Sequence, residues 1–67
     1  MEDESQLRVF VQSFKSSNQS DSVCRSLIMR AHKMKLPLEH GIFATSYHPT
    51  TKLFVMILTI TVPQEKK

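Results

Sequence analysis

Four side chains able to bind metal or act as nucleophiles stand at a constant interval of eight residues: Cys24, His32, His40 and His48. One thiol and three imidazoles form a common zinc donor set, and a thiol beside an imidazole is the start of a nucleophilic pair. The spacing argues against both. On one helix, Cys24 and His32 lie about 12 Å apart along the axis, whereas zinc holds its ligands at about 2 Å and a Cys-His pair works at about 3 Å. His40 and His48 then fall at opposite ends of a strand. The windows between the histidines share nothing else, so the interval is not a repeat, and Cys24 reads as a small buried hydrophobe.

Other chemistry is equally sparse. The chain has one glycine, Gly41, so it cannot build a glycine-rich phosphate loop, and its clustered carboxylates are confined to Glu2, Asp3 and Glu4. A chain of 67 residues also has little volume for an enclosed pocket. These residues predict a protein that is not an enzyme, takes no small-molecule substrate, and needs no cofactor or metal.

Length and charge set the remaining bounds. One domain is expected over residues 1–67, with an acidic tip at 1–5 and a tail at 63–67 both mobile. A domain of this size buries only about 60% of the surface its unfolded chain exposes, so every large apolar residue counts. The net charge of +3 permits an anionic partner without demanding one. A single cysteine excludes an internal disulfide, and Met1-Glu2-Asp3-Glu4 lacks the positive-then-apolar pattern of a signal peptide. An intracellular location, cytoplasmic or nuclear, is therefore expected. The sequon Asn18-Gln19-Ser20 has meaning only in a secreted chain.

The elements that position these residues follow from periodicity. Leu53 to Val62 is uncharged but only ten residues long, against the roughly 20 of a membrane-crossing helix. Its β-branched residues and the period-two alternation of Thr59 and Thr61 predict a strand ended by Pro63. Residues 53–58 are apolar at every position, which predicts cover on two faces, while 59–62 would have one wet face. Ile42 to Tyr47 predicts a second strand, joined through a turn at His48-Pro49-Thr50-Thr51. That hairpin would set Tyr47 opposite Lys52, Thr45 opposite Phe54 and Phe43 opposite Met56. It leaves Leu58 to Val62 without a mate on that side.

Upstream, Val23, Leu27, Ile28, Ala31 and Met34 recur at helical spacing. They predict a helix capped by Ser20 or Asp21 and stopped by Pro37, with Cys24 on the same apolar arc. Residues 7–14 allow two readings. Leu7, Phe10, Val11 and Phe14 have helical spacing, yet Val9, Phe10 and Val11 are strand formers, and the last strand needs a mate. The expected fold is α+β: a single-layer β-α-β-β sheet in strand order 1-3-2 with one helix packed on it. An α-α-β-β chain with a C-terminal hairpin is the alternative.

"VFVQSF" is similar to the first strand of the RNA-recognition motif family, and Lys52, Phe54 and Ile57 fit the third-strand pattern of that family. Leu53, Val55, Met56 and Thr59 depart from it, and the chain is too short for the family's second helix and fourth strand. The resemblance covers residues 7–58. It implies stacking by Phe10 and Phe54, with Lys52, Arg25 and Lys33 near phosphates.

Two function classes follow. From Ser22 to Leu38 there are four basic residues and no acidic one, interleaved with Met29 and Leu36. A charged helix face is ordinarily solvated surface, but the apolar residues in this one predict a protein-binding module of a regulatory, adaptor or accessory kind. Its contacts would be Arg25, Met29, His32, Lys33 and Leu36 on the helix and Thr59, Ile60, Thr61 and Val62 for edge pairing. The partner would be another protein or a second copy in a homo-oligomer. The alternative is RNA or DNA binding through Arg25, Arg30, Lys33 and Lys35.

Overall fold

Apolar and β-branched residues crowd the last third of the chain, and they build its central strand. The computed structural model describes residues 5–63. Over them the elements run β1 (Ser5–Phe14), a 3-10 turn at Ser17–Gln19, α1 (Ser20–Lys33), a 3-10 turn at Leu38–His40, β2 (Gly41–His48) and β3 (Leu53–Pro63). The strands form one antiparallel sheet in the order β1-β3-β2. This is the α+β, β-α-β-β fold, and residues 7–14 are strand. Local propensity does not separate the two readings of that segment. The ladder does, because β1 pairs β3 from Ser5↔Pro63 to Phe14↔Phe54 and leaves none of that flank open. Ser5 and Pro63 thus belong to strands and not to a mobile tip and tail; the rest of those two segments lies outside the described residues.

Parity assigns the faces, because residues directly opposite in a ladder point the same way. Phe10, Leu58 and Phe43 form one such rung, and Phe14, Phe54 and Tyr47 another, both on the side of α1. On this side Phe14, Met56, Leu58 and Ile60 are buried together with Val23, Leu27 and Ala31 of the helix. Cys24 and Ile28 are half-buried at the flank of the helix. Gly41 closes this core at one end: a β-carbon there would lie 3.1 Å from the Leu38 carbonyl oxygen and 3.1 Å from Leu58 Cδ1.

The β2–β3 connection differs from the expected turn. The loop is Pro49 to Lys52, and the ladder pairs Tyr47 with Phe54, Thr45 with Met56 and Phe43 with Leu58, two residues further along β3 than the turn residues implied. Lys52 takes a left-handed φ of 61°, and its N–H donates to the His48 carbonyl at 2.7 Å. A slip of two preserves parity, so the facing of every side chain is as expected while the partners are not. It also carries the β2 ladder as far as Ile60.

Both ends of α1 are displaced from the predicted ones. Neither Ser20 nor Asp21 caps α1: its N-cap position is Gln19, which makes no side-chain cap bond, and Ser16 caps the 3-10 turn before it. Ser16 Oγ accepts from the Asn18 N–H at 3.2 Å, and Gln19 Oε1 accepts from the Ser16 N–H at 3.0 Å, a capping box on the 3-10 turn that leads into the helix. Asp21 stands in the first turn and Arg30 and Lys33 in the last, signs that suit the helix dipole. At the other end the Leu36 N–H donates to the Ala31 carbonyl at 3.1 Å and the Lys35 N–H to the His32 carbonyl at 2.9 Å, with Lys35 at φ 59°. This is a Schellman turn. It folds Leu36 back onto the core and leaves Met34, expected inside, exposed.

A left-handed φ costs a residue with a β-carbon on the order of 1 kcal/mol, and glycine escapes that cost. Lys35→Gly should therefore raise stability by about 0.5 to 1 kcal/mol, seen as a higher urea midpoint at unchanged slope. A lower midpoint would show that the helix does not end in this turn in solution.

Candidate functional site

β3 has two apolar faces and the fold covers one of them. The 14 residues of α1 extend about 21 Å, and the 11 residues of β3 about 36 Å. One short helix cannot cover the whole length of the sheet, and nothing among the described residues lies across its second face. The consequence shows in the dimensions: 47 × 23 × 13 Å, with a radius of gyration of 14.2 Å, against about 11 Å for a compact chain of this length.

The uncovered face is built rung by rung. Val9, Thr59 and Ile42 lie side by side, then Val11, Ile57 and Ala44, then Ser13, Val55 and Ser46. Leu7 is 62% exposed, Val9 55%, Val11 53% and Ile42 69%. No Asp, Glu, Lys or Arg occupies any described position of this face. The two-sided cover expected for residues 53–58 is thus replaced by cover on one side: Phe54, Met56 and Leu58 face the core, while Leu53, Val55 and Ile57 look outward.

The edge-pairing residues require correction. Thr59 and Ile60 pair on both sides, with Val9 and Ile42 and with Arg8 and Gly41; Thr61 and Val62 pair with Leu7 and Gln6 of β1. Thr59 and Ile60 therefore have no free ladder groups to offer, while Thr61 and Val62 extend past the end of the β2 ladder and have no ladder partner on that side. The free edges belong to β1 and β2. β1 carries Arg8 on its helix-facing side, the kind of inward charge that discourages edge pairing, whereas β2 has no Asp, Glu, Lys or Arg along its length.

The helix surface is partly as the sequence implied. Arg25, Met29 and Lys33 line a shallow groove together with Ser22, Ser26 and Arg30. Met29 is 60% exposed and His32 is exposed beside it. Leu36 does not join them, because the Schellman turn commits it to the core. Of the nucleic-acid candidates, Arg25, Arg30 and Lys33 gather on the groove, and Lys35 stands beyond the helix end.

Phe10 and Phe54 are not a base-stacking platform. Both lie on the covered side, Phe10 against the core and Phe54 between Phe14 at 5.3 Å and Tyr47 at 4.7 Å between ring centroids. Lys52 sits at the hairpin tip. Among the described residues no three His, Cys, Asp or Glu side chains are grouped to hold a metal ion. Cys24 is a half-buried free thiol. No helix of the described residues is long and apolar enough to cross a membrane.

Sequence reasoning missed the Leu7, Val9, Val11 and Ile42 surface. Its signal was present: the odd positions Leu7, Val9 and Val11 are all apolar, although Phe10 and Phe14 already give the strand a core side at even positions. Comparison with known proteins supplies no relative, since no protein-family profile, no curated protein and no solved structure matches the chain.

Gln12 interrupts the covered face opposite Met56, and its Oε1 is buried without a hydrogen-bond partner. Replacing a buried, unpaired amide by an apolar side chain of similar length removes a desolvation cost of about 1 kcal/mol or more. Gln12→Met should raise the urea midpoint accordingly. A fall would show that the amide is satisfied in solution.

Proposed function

We propose that the chain is a small, non-enzymatic protein-binding module of a regulatory, adaptor or accessory kind, and that it binds through its uncovered sheet face. One observation carries this reading: a charge-free apolar face, centred on Val9, Val11, Ile42 and Ile57, stands open on a domain whose core is already small. Apolar surface left in water forgoes about 25 cal/mol per Å² that burial would return. Contiguous patches of this kind mark contact sites. The helix groove with Arg25, Met29 and Lys33, and His32 beside it, is a second and more polar contact region. The single thiol of Cys24 suits a reducing compartment, the cytoplasm or the nucleus.

A second reading, binding of RNA or DNA, draws on the gathering of Arg25, Arg30 and Lys33 around one groove. Two facts weigh against it. Arg30 and Lys33 occupy the last helical turn, where the dipole favours cations whatever the partner. Phe10 and Phe54 offer no free ring faces for bases.

The test compares protein capture by the wild type, by the double variant Val9→Thr with Ile42→Thr, and by Arg25→Glu with Lys33→Glu. Threonine keeps strand propensity while making the face polar, so the first pair should weaken capture about tenfold or more with stability changed by less than about 0.5 kcal/mol. Capture should be insensitive to salt. Capture lost only in the glutamate pair would move the contact to the helix. Nucleic acid that co-purifies and is shed as salt rises, with a slope reduced in the glutamate pair, would make nucleic-acid binding the function.

A further inference from the structure

We infer that the occupant of the uncovered face is a second copy of this chain, stacked sheet on sheet about a two-fold axis near the Val11, Ile57 and Ala44 rung. The inference rests on the reading of that face as a protein contact and names its partner.

Charge is the first argument. The chain carries a net +3, so two copies repel unless they meet where neither is charged. The uncovered face is such a place. Arg25, Arg30 and Lys33 line the outer groove of α1, and Arg8 faces the helix from β1, all on the opposite side of the sheet. An acidic partner would be drawn to that cationic side, and the bare face has nothing to attract it. A neutral apolar surface is matched by another neutral apolar surface, and an isologous contact supplies one by symmetry.

Area is the second. Three strands at about 4.8 Å spacing, along the eight rungs shared by β2 and β3 at about 3.4 Å each, give a flat footprint on the order of 400 Å² per copy. Side-chain relief adds to this, so a stacked pair buries roughly 1,000 Å² in total, the lower bound for a specific interface. Pairing the β2 edges instead would leave Val9, Val11 and Ile57 in water. Stacking covers them and places Ser13, Ser46 and His48 toward the rim, where Ser46 Oγ already lies 3.5 Å from His48 Nε2.

Stacked sheets pack about 10 Å apart with strands nearly aligned. The product is a four-layer particle, helix-sheet-sheet-helix. It supplies Leu53, Val55 and Ile57 with their missing cover and turns the two basic helix grooves outward on opposite sides.

The experiment is sedimentation velocity on the full chain from about 1 µM to about 1 mM, at low and high salt, with 8-anilinonaphthalene-1-sulfonate fluorescence and urea midpoints on the same samples. The variants are Val11→Lys and Val9→Lys on the face and Thr45→Lys on the opposite side of edge strand β2. Val9 and Val11 are each more than half exposed, so lysine is tolerated by the fold. The wild type should form a salt-insensitive dimer whose urea midpoint rises with protein concentration. Val11→Lys should be monomeric, with dissociation raised about 100-fold or more and a midpoint independent of concentration. A dimer that survives both face variants and is lost in Thr45→Lys overturns the stacking in favour of a contact through β2, at its edge or over its exposed Phe43 and Tyr47, while protein binding stands. A monomer at every concentration that binds the dye strongly, and loses the dye in Val11→Lys, overturns the second copy and leaves the face open to a different protein. A monomer that binds no dye overturns both.

Discussion

Leu58 is fully buried beneath α1, with Phe10 beside it on one strand and Phe43 on the other, and this rung fixes the facing of the whole sheet. A slip of one residue on either ladder would send the apolar set that meets the helix to the opposite side. With the rung in place, Met56 and Ile60 must face Val23, Leu27 and Ala31, and Val9, Val11 and Ile57 must face away. Gly41 belongs to the same constraint. The 3-10 turn at Leu38–His40 closes so tightly over Leu58 that a methyl group at residue 41 would crowd it. The bare face and the filled core are thus two results of one register.

Much of this was legible because the signals were redundant. β3 combined β-branched residues, alternation at Thr59 and Thr61, and a terminal proline; α1 combined a three-and-four apolar spacing with Pro37. β1 was settled by a long-range demand, the ladder that β3 required, and not by its own composition. Two details escaped for a shared reason. Left-handed residues at Lys35 and Lys52 end the helix and close the hairpin, and the residues that advertise such positions are glycine and asparagine. Lysine gives no such sign. The helix therefore read as continuing to Leu36, which misplaced that side chain on the outer face, and the hairpin read two residues short.

The candidate site was legible in its charge and not in its geometry. Arg25, Met29, His32 and Lys33 share an outer surface because helical spacing places them there. The assignment of Thr59 and Ile60 as an edge failed against the strand order itself, since both pair with β1 and β2, whereas Thr61 and Val62 run past the end of the β2 ladder. What remained free was a face. An open face is harder to see in a sequence than an open edge, because it depends on how far a single helix reaches.

Strand formation alone does not explain why that face is apolar. Threonine is as good a strand former as valine, and it is what the chain uses at Thr59 and Thr61. A solvated face would lose nothing by carrying threonine at residues 9, 11, 55 and 57 as well, and would gain solubility. The choice of Val9, Val11, Ile42 and Ile57 around the middle of the face, with Ser13 and Ser46 flanking Val55 on the next rung and Thr61 at the far end, therefore resembles the pattern of a packed interface with a polar rim. Among the described residues α1 is the one α-helix and it packs on the other side of the sheet, so no described element supplies the cover that this pattern calls for.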